Sequence, residues 1–157
     1  MGINLKNHNE LKYAGFWIRV AATLIDTLII SVFTIPLLFM FYGNQMLLDD
    51  SIIKGPADLI ISYILPAIAV VVFWVYKSAT PGKIVLKLKI LDAKTGEQIT
   101  VRQSIIRYFG YFVSMIPLFF GIFWVAWDSK KQAWHDKIAG TVVVREKFET
   151  EKVAFDV

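Results

Sequence analysis

Cysteine is absent from this chain of 157 residues, which excludes disulfides, thiolate catalysis and cysteine-based metal sites. Histidine is almost absent as well. His8 and His135 stand far apart, so a two-histidine metal centre has little basis, and no cofactor is expected. No phosphate-binding loop is present: Thr80-Pro81-Gly82-Lys83 carries the Gly-Lys pair alone and reads as a turn leading into a strand. A nucleophile turn with Ser-His-Asp partners is also missing, so an enzyme is not expected. The first fifteen residues are polar and the apolar stretch after them is too long for a signal peptide.

What is abundant is apolar sequence. Hydrophobic residues make up 56 % of the chain and the mean hydropathy is +0.54. Both exceed the values of an ordinary soluble domain, and the apolar residues come in long blocks. A single α-helical integral membrane domain over residues 1–157 is the reading. The net charge of +4 fits basic membrane-flanking loops better than nucleic-acid binding, because the Lys and Arg residues flank the blocks.

The first block, residues 16–42, would be about 40 Å long as a helix, against a hydrocarbon core of about 30 Å. It carries Arg19 and Asp26. Two helical turns separate them, about 10 Å along the axis, which is too far for direct contact. A charge at that depth costs at least about 2.5 kcal/mol on insertion scales, so partners are expected elsewhere. Residues 59–76 hold no charge and form a second span. Residues 83–91 alternate like a strand, 93–96 read as a turn, and 97–101 can return, so a β-hairpin over 83–101 is expected outside the bilayer. A third apolar block covers 103–127, with Arg107 near its start and Pro117 and Gly121 near its middle. Residues 138–144 read as a strand that could cover the hairpin edge, and 145–157 as a charged tail.

Charge places the loops. The 43–58 loop has one Lys, whereas residues 77–102 hold six Lys/Arg and the segment after the third block another six. The positive-inside rule therefore puts the N-terminus, the hairpin and the C-terminal segment in the cytoplasm. That requires the third block to return as a helix pair broken around Pro117 to Gly121, each half about 10–13 residues. The alternative is a single third span with the C-terminus outside. Trp17, Trp74, Trp124, Trp127 and Trp134 fall near block ends and read as interface anchors.

Four stretches, YAGFWIRVAATLIDTLII, ATPGKIVLKLKILDAKTGEQIT, IIRY and KKQAWHDKIAGTVVV, resemble in that order the RDD family of small prokaryotic membrane proteins. The family is named for one Arg and two Asp, which map onto Arg19, Asp26 and Asp136. The resemblance implies a cell-membrane protein with a transport role, sodium–proton antiport in some members.

From the residues themselves, Arg19, Asp26, Arg107 and Asp136 can compensate one another, with His135 adjacent. Asp136 is the nearer partner for Arg19, and Arg107 a candidate for Asp26. Arginine keeps its proton, so any exchange of a proton for a cation would fall on an Asp or on His135. Two readings follow. Asp26 binds Na+ or H+ in a transporter, which at this size would be a homo-oligomer. Otherwise the charges are a buried latch in a structural module that meets lipid or a partner through its basic hairpin.

Overall fold

The computed structural model describes residues 11–146; His8 and all of the 145–157 tail beyond Glu146 lie outside the described residues. In chain order the elements are β1 (Leu11–Tyr13), α1 (Phe16–Tyr42), the short α2 (Gln45–Leu48), α3 (Pro56–Lys77), α4 (Pro81–Val85), β2 (Leu88–Asp92), α5 (Val101–Met115), α6 (Phe120–Ala126), α7 (Trp134–Ala139) and β3 (Thr141–Glu146).

Helices α1 and α3 are both long and apolar enough to cross a membrane. Their side chains are mostly exposed, Leu24, Leu28, Val32, Phe33 and Met40 on α1 among them. That is the surface of a helix whose apolar faces meet lipid rather than a protein core. Within α3 the turn Leu59–Ile64 is widened to a π-helix. Pro66 follows after Leu65; it has no N–H to return to the carbonyl four residues earlier, so the ladder slips there. Asp58 lies in the first turn of α3, where it accepts from Lys54 N at 3.0 Å and Ser62 Oγ at 2.6 Å.

The third apolar block is two helices, α5 and α6, bent by 113°. Leu118 and Phe119 take positive φ of 49° and 63° just after Pro117. Proline cannot extend the α5 ladder, so the break falls at the Pro–Gly region expected from the sequence.

The hairpin expected over 83–101 is not formed. Residues 81–85 are helical instead, because Thr80-Pro81 is a helix start: proline at the first helical position sacrifices an N–H that has no partner there anyway. The returning strand is lost at its far end to a capping box. Thr100 Oγ1 accepts from Gln103 N at 3.2 Å while the Gln103 side chain accepts from Thr100 N at 3.0 Å, and this starts α5 at Val101. Only a single bridge, Leu91 to Gln98, remains of the pairing.

The sheet is built from three distant pieces in the order β1-β3-β2, all antiparallel. Its central strand β3 pairs Val144 with Tyr13 on one side and with Lys89 on the other. Strand β1 was not expected, and β3 begins at Thr141 because residues 134–139 are helical. The buried core sits where the sheet meets the helix ends: Ala14, Ala22, Trp74, Leu88, Ile90, Ile99 and Val143. Strand β1 leads directly into α1, and β3 follows the third block. The chain before the first apolar helix and the chain after the last are thus hydrogen-bonded neighbours at one end of the molecule.

Candidate functional site

Asp136 lies in the first turn of α7 and is wholly buried. Its Oδ2 accepts from Ala133 N at 3.1 Å, which ties down the start of its own helix. The same oxygen is 2.5 Å from Arg19 Nη1, and Oδ1 is 2.5 Å from Arg107 Nη1. One carboxylate therefore bridges two guanidinium groups, from α1 and α5. The Arg107 contact is an ion pair without hydrogen-bond alignment, since Oδ1 accepts no hydrogen bond among the described residues.

Each arginine is held further. Arg19 Nε donates to Ala14 O at 2.9 Å and Nη2 to Lys131 O at 2.5 Å. Arg107, fully buried, donates to Thr141 Oγ1 at 2.7 Å at the start of β3, and its guanidinium carbon lies 5.3 Å from the centre of the Trp74 ring. Trp74 is thus a buried part of the site rather than an interface anchor; Trp17 and Trp127 do lie exposed. Trp134 packs among Phe120 and Trp124.

His135 is buried next to Asp136, its Nε2 3.6 Å from Oδ1. Its ring stacks on Tyr111 at 3.7 Å between centroids, and its backbone N donates to Ser114 Oγ at 3.0 Å. The close crossing of α5 and α7 depends on Gly110, where a Cβ would come within 3.0 Å of His135 Cα and Cβ. Burial above all pushes the His135 imidazole down to about 3, Asp136 opposing and the neighbouring cations assisting, so it is neutral at physiological pH. For Asp136 burial disfavours the charge, but Arg107 and then Arg19 outweigh it and hold the carboxyl below the usual carboxylate range.

Asp26 belongs to a different cluster. Its Oδ2 accepts from Thr80 Oγ1 at 2.5 Å and its Oδ1 from Gly82 N at 2.7 Å, so it docks the start of α4 onto α1. The approach is close: a Cβ on Gly82 would lie 2.2 Å from Ala22 O. Arg107, expected as a partner for Asp26, is committed to Asp136 instead. The structure thus brings Arg19, Arg107, His135 and Asp136 together and leaves Asp26 apart. Residues that the sequence did not assign to a site complete both clusters: Thr141, Tyr111 and Ser114 around the first, Thr80, Gly82 and Lys83 around the second, the last three reading in the sequence only as a turn. Of these, Thr80 had a readable signal, the Thr-Pro helix start. Among the described residues no group of three metal-ligating side chains is present.

The sequence profile of the RDD family matches residues 13–140. The chain belongs to the RDD family. Bacillus subtilis YxaI is 33 % identical over 151 residues, covering 85 % of this chain and 97 % of that protein. The B. subtilis protein YteJ, described as an uncharacterized membrane protein, is 30 % identical over 140 residues, 86 % of this chain and 82 % of its own. A Rickettsia prowazekii protein, RP437, is 45 % identical over 75 residues, and there the match covers 48 % of this chain and only 41 % of the relative. No solved structure matches. An RDD-family membrane protein with a small antiparallel sheet is therefore the identity that family and fold support.

Proposed function

We propose that this RDD protein is a structural or partner-binding membrane module whose Arg19–Asp136–Arg107 cluster is a latch and not an ion pathway. The observation that carries the reading is the full engagement of Asp136. Both its oxygens face guanidinium groups, it is wholly buried, and the adjacent His135 is held neutral. A carboxylate so neutralised has no free side for a transported cation. What it does instead is join α1, α5 and α7, and through Thr141 the central strand, into one unit.

The topology read from charge fits the same picture. Pairing of β1 with β3 favours the returning form of the third block, because both strands lie at one end of the molecule. The single Lys of the 43–58 loop, against the many Lys and Arg at the sheet end, favours a cytoplasmic sheet and N-terminus in a multi-pass protein of the cell membrane. A cysteine placed at Lys94, in a chain with none of its own, tests this: labelling from outside intact cells would reverse the orientation.

Transport of Na+ or H+, by a homo-oligomer, is the second reading, and the position of Asp26 favours it. That carboxylate lines a cleft between the apolar helices. Proteoliposome flux separates the two readings. The latch predicts no cation-dependent proton flux from the native protein. Flux that is present and is abolished by Asp26→Asn in a folded protein would overturn it.

A further inference from the structure

A cleft of about 670 Å³ lies between α1, α3 and α5, bordering the latch through Trp74 and Tyr111. Such a volume is in the range of small-molecule sites. Along α1 its wall runs from Thr23 to Leu37, about 21 Å of helix, set against a hydrocarbon core of about 30 Å. The wall is apolar, with Ile30, Phe33, Val70, Phe73 and Phe112 among its residues. Phe33, Leu65 and Phe112 on its rim are exposed, so the cleft opens sideways, onto the surface that the apolar helices offer to lipid.

One end of this trough is polar. Lys83 lines it at 6 % exposure, yet no carboxylate lies within ion-pair distance of its ammonium among the described residues. The nearby Asp26 already has both oxygens occupied by Thr80 and Gly82. Trp74 also lines the trough, at 2 % exposure, and its indole N–H has no hydrogen-bond partner. A buried donor without an acceptor is costly, and among the described residues the Lys83 ammonium has no carboxylate counter-ion. Burial accordingly pulls the Lys83 ammonium below the ordinary lysine range, with Tyr111 and Asp26 opposing. An anion placed beside it would satisfy both donors and restore the charge.

We propose that the cleft holds one acyl chain of an anionic phospholipid drawn from the surrounding bilayer, with its phosphate seated at Lys83 and Trp74. The sideways opening selects a phospholipid over a free fatty acid, because the second chain can remain in the bilayer. None of Arg19, Arg107, His135 and Asp136 lines the cleft, and the test reads lipid and not flux or stability.

The test is native mass spectrometry of the full chain in mild detergent, exchanged against micelles doped with phosphatidylglycerol, phosphatidylcholine of the same chains, or palmitate. The native protein is expected to retain phosphatidylglycerol about tenfold or more over phosphatidylcholine, whose choline cation offsets the attraction of its phosphate for the Lys83 ammonium. Lys83→Met is expected to erase that preference. Ala69→Trp, which fills the cleft from α3, is expected to reduce retention of both lipids and decides the matter if Lys83→Met does not fold. Equal retention of the two phospholipids, an unchanged preference in Lys83→Met, undiminished binding in Ala69→Trp, or tighter retention of palmitate than of phosphatidylglycerol would each overturn the proposal.

Discussion

Asp136 and Asp26, the two aspartates onto which the family resemblance maps, are held in opposite ways. Asp136 meets two charged arginines and is sealed inside the protein. Asp26 meets a hydroxyl and a backbone N–H, and it borders a cleft that opens toward lipid. Removing the partner of a buried charge strands that charge, whereas removing an acceptor from neutral donors strands only dipoles. The same residue type therefore contributes unequally to the fold, and substitutions can measure how unequally.

The largest effect is expected for Asp136→Ala, which leaves Arg107 buried without a counter-charge and should cost about 3–5 kcal/mol. Thermal unfolding in detergent would read it. Removing the buried charges together, as Arg19→Met and Arg107→Met with Asp136→Leu, should recover most of the loss; a triple variant no better than the single would mean that Asp136 acts through something other than charge.

Acid should come next. His135 is pushed down to about 3 in the folded chain, against about 6.5 when unfolded. Below pH 6.5 the unfolded chain takes up a proton that the folded chain refuses, so stability falls as pH drops from about 6.5 toward 3. His135→Gln should flatten the dependence of unfolding temperature on pH in that window. An equally steep profile in the variant would assign the dependence to other groups.

On the Asp26 side, Gly82→Ala drives a methyl into Ala22 O and should cost about 1–3 kcal/mol as overpacking does. Asp26→Asn keeps an oxygen for one of the two donors, and a loss of about 1 kcal/mol is expected. If Asp26→Asn proves as damaging as Asp136→Ala, the contrast between the two aspartates fails. Arg19→Lys should be mildest, about 1 kcal/mol or less, because Arg19 is partly exposed and a lysine keeps the charge while losing the fork.

The apolar helices were legible because bilayer thickness imposes a length on them: residues 16–42 are the boundaries of α1, and 59–76 fall inside α3. The bend of the third block was legible through Pro117. Within 83–101 the strand and its pairing with the C-terminal strand are present over Leu88–Asp92, but both ends were misread: lysine alternation looks like a half-buried strand, while the capping box at Thr100 and the Thr-Pro start at residue 80 carry the deciding local chemistry. Strand β1 had no local signal; three residues, Leu11 to Tyr13, become a strand only because Val144, Arg145 and Glu146 arrive beside them. For the same reason the partner of Arg107 could not be read from spacing. It depends on where α7 packs, which Gly110 permits by lacking a side chain.

The bridge from Arg19 to Asp136 spans 117 positions of sequence. A ribosome releases the arginine with the rest of α1, and then α3, long before the aspartate exists. Until α7 emerges, the growing chain carries Arg19 and later Arg107 without the carboxylate that settles them, and β1 waits for the strand that will hold it. Completion of the sheet end is thus the event that converts inserted helices into a finished protein, and a chain cut short of residue 136 keeps its membrane segments but not the means to fasten them together.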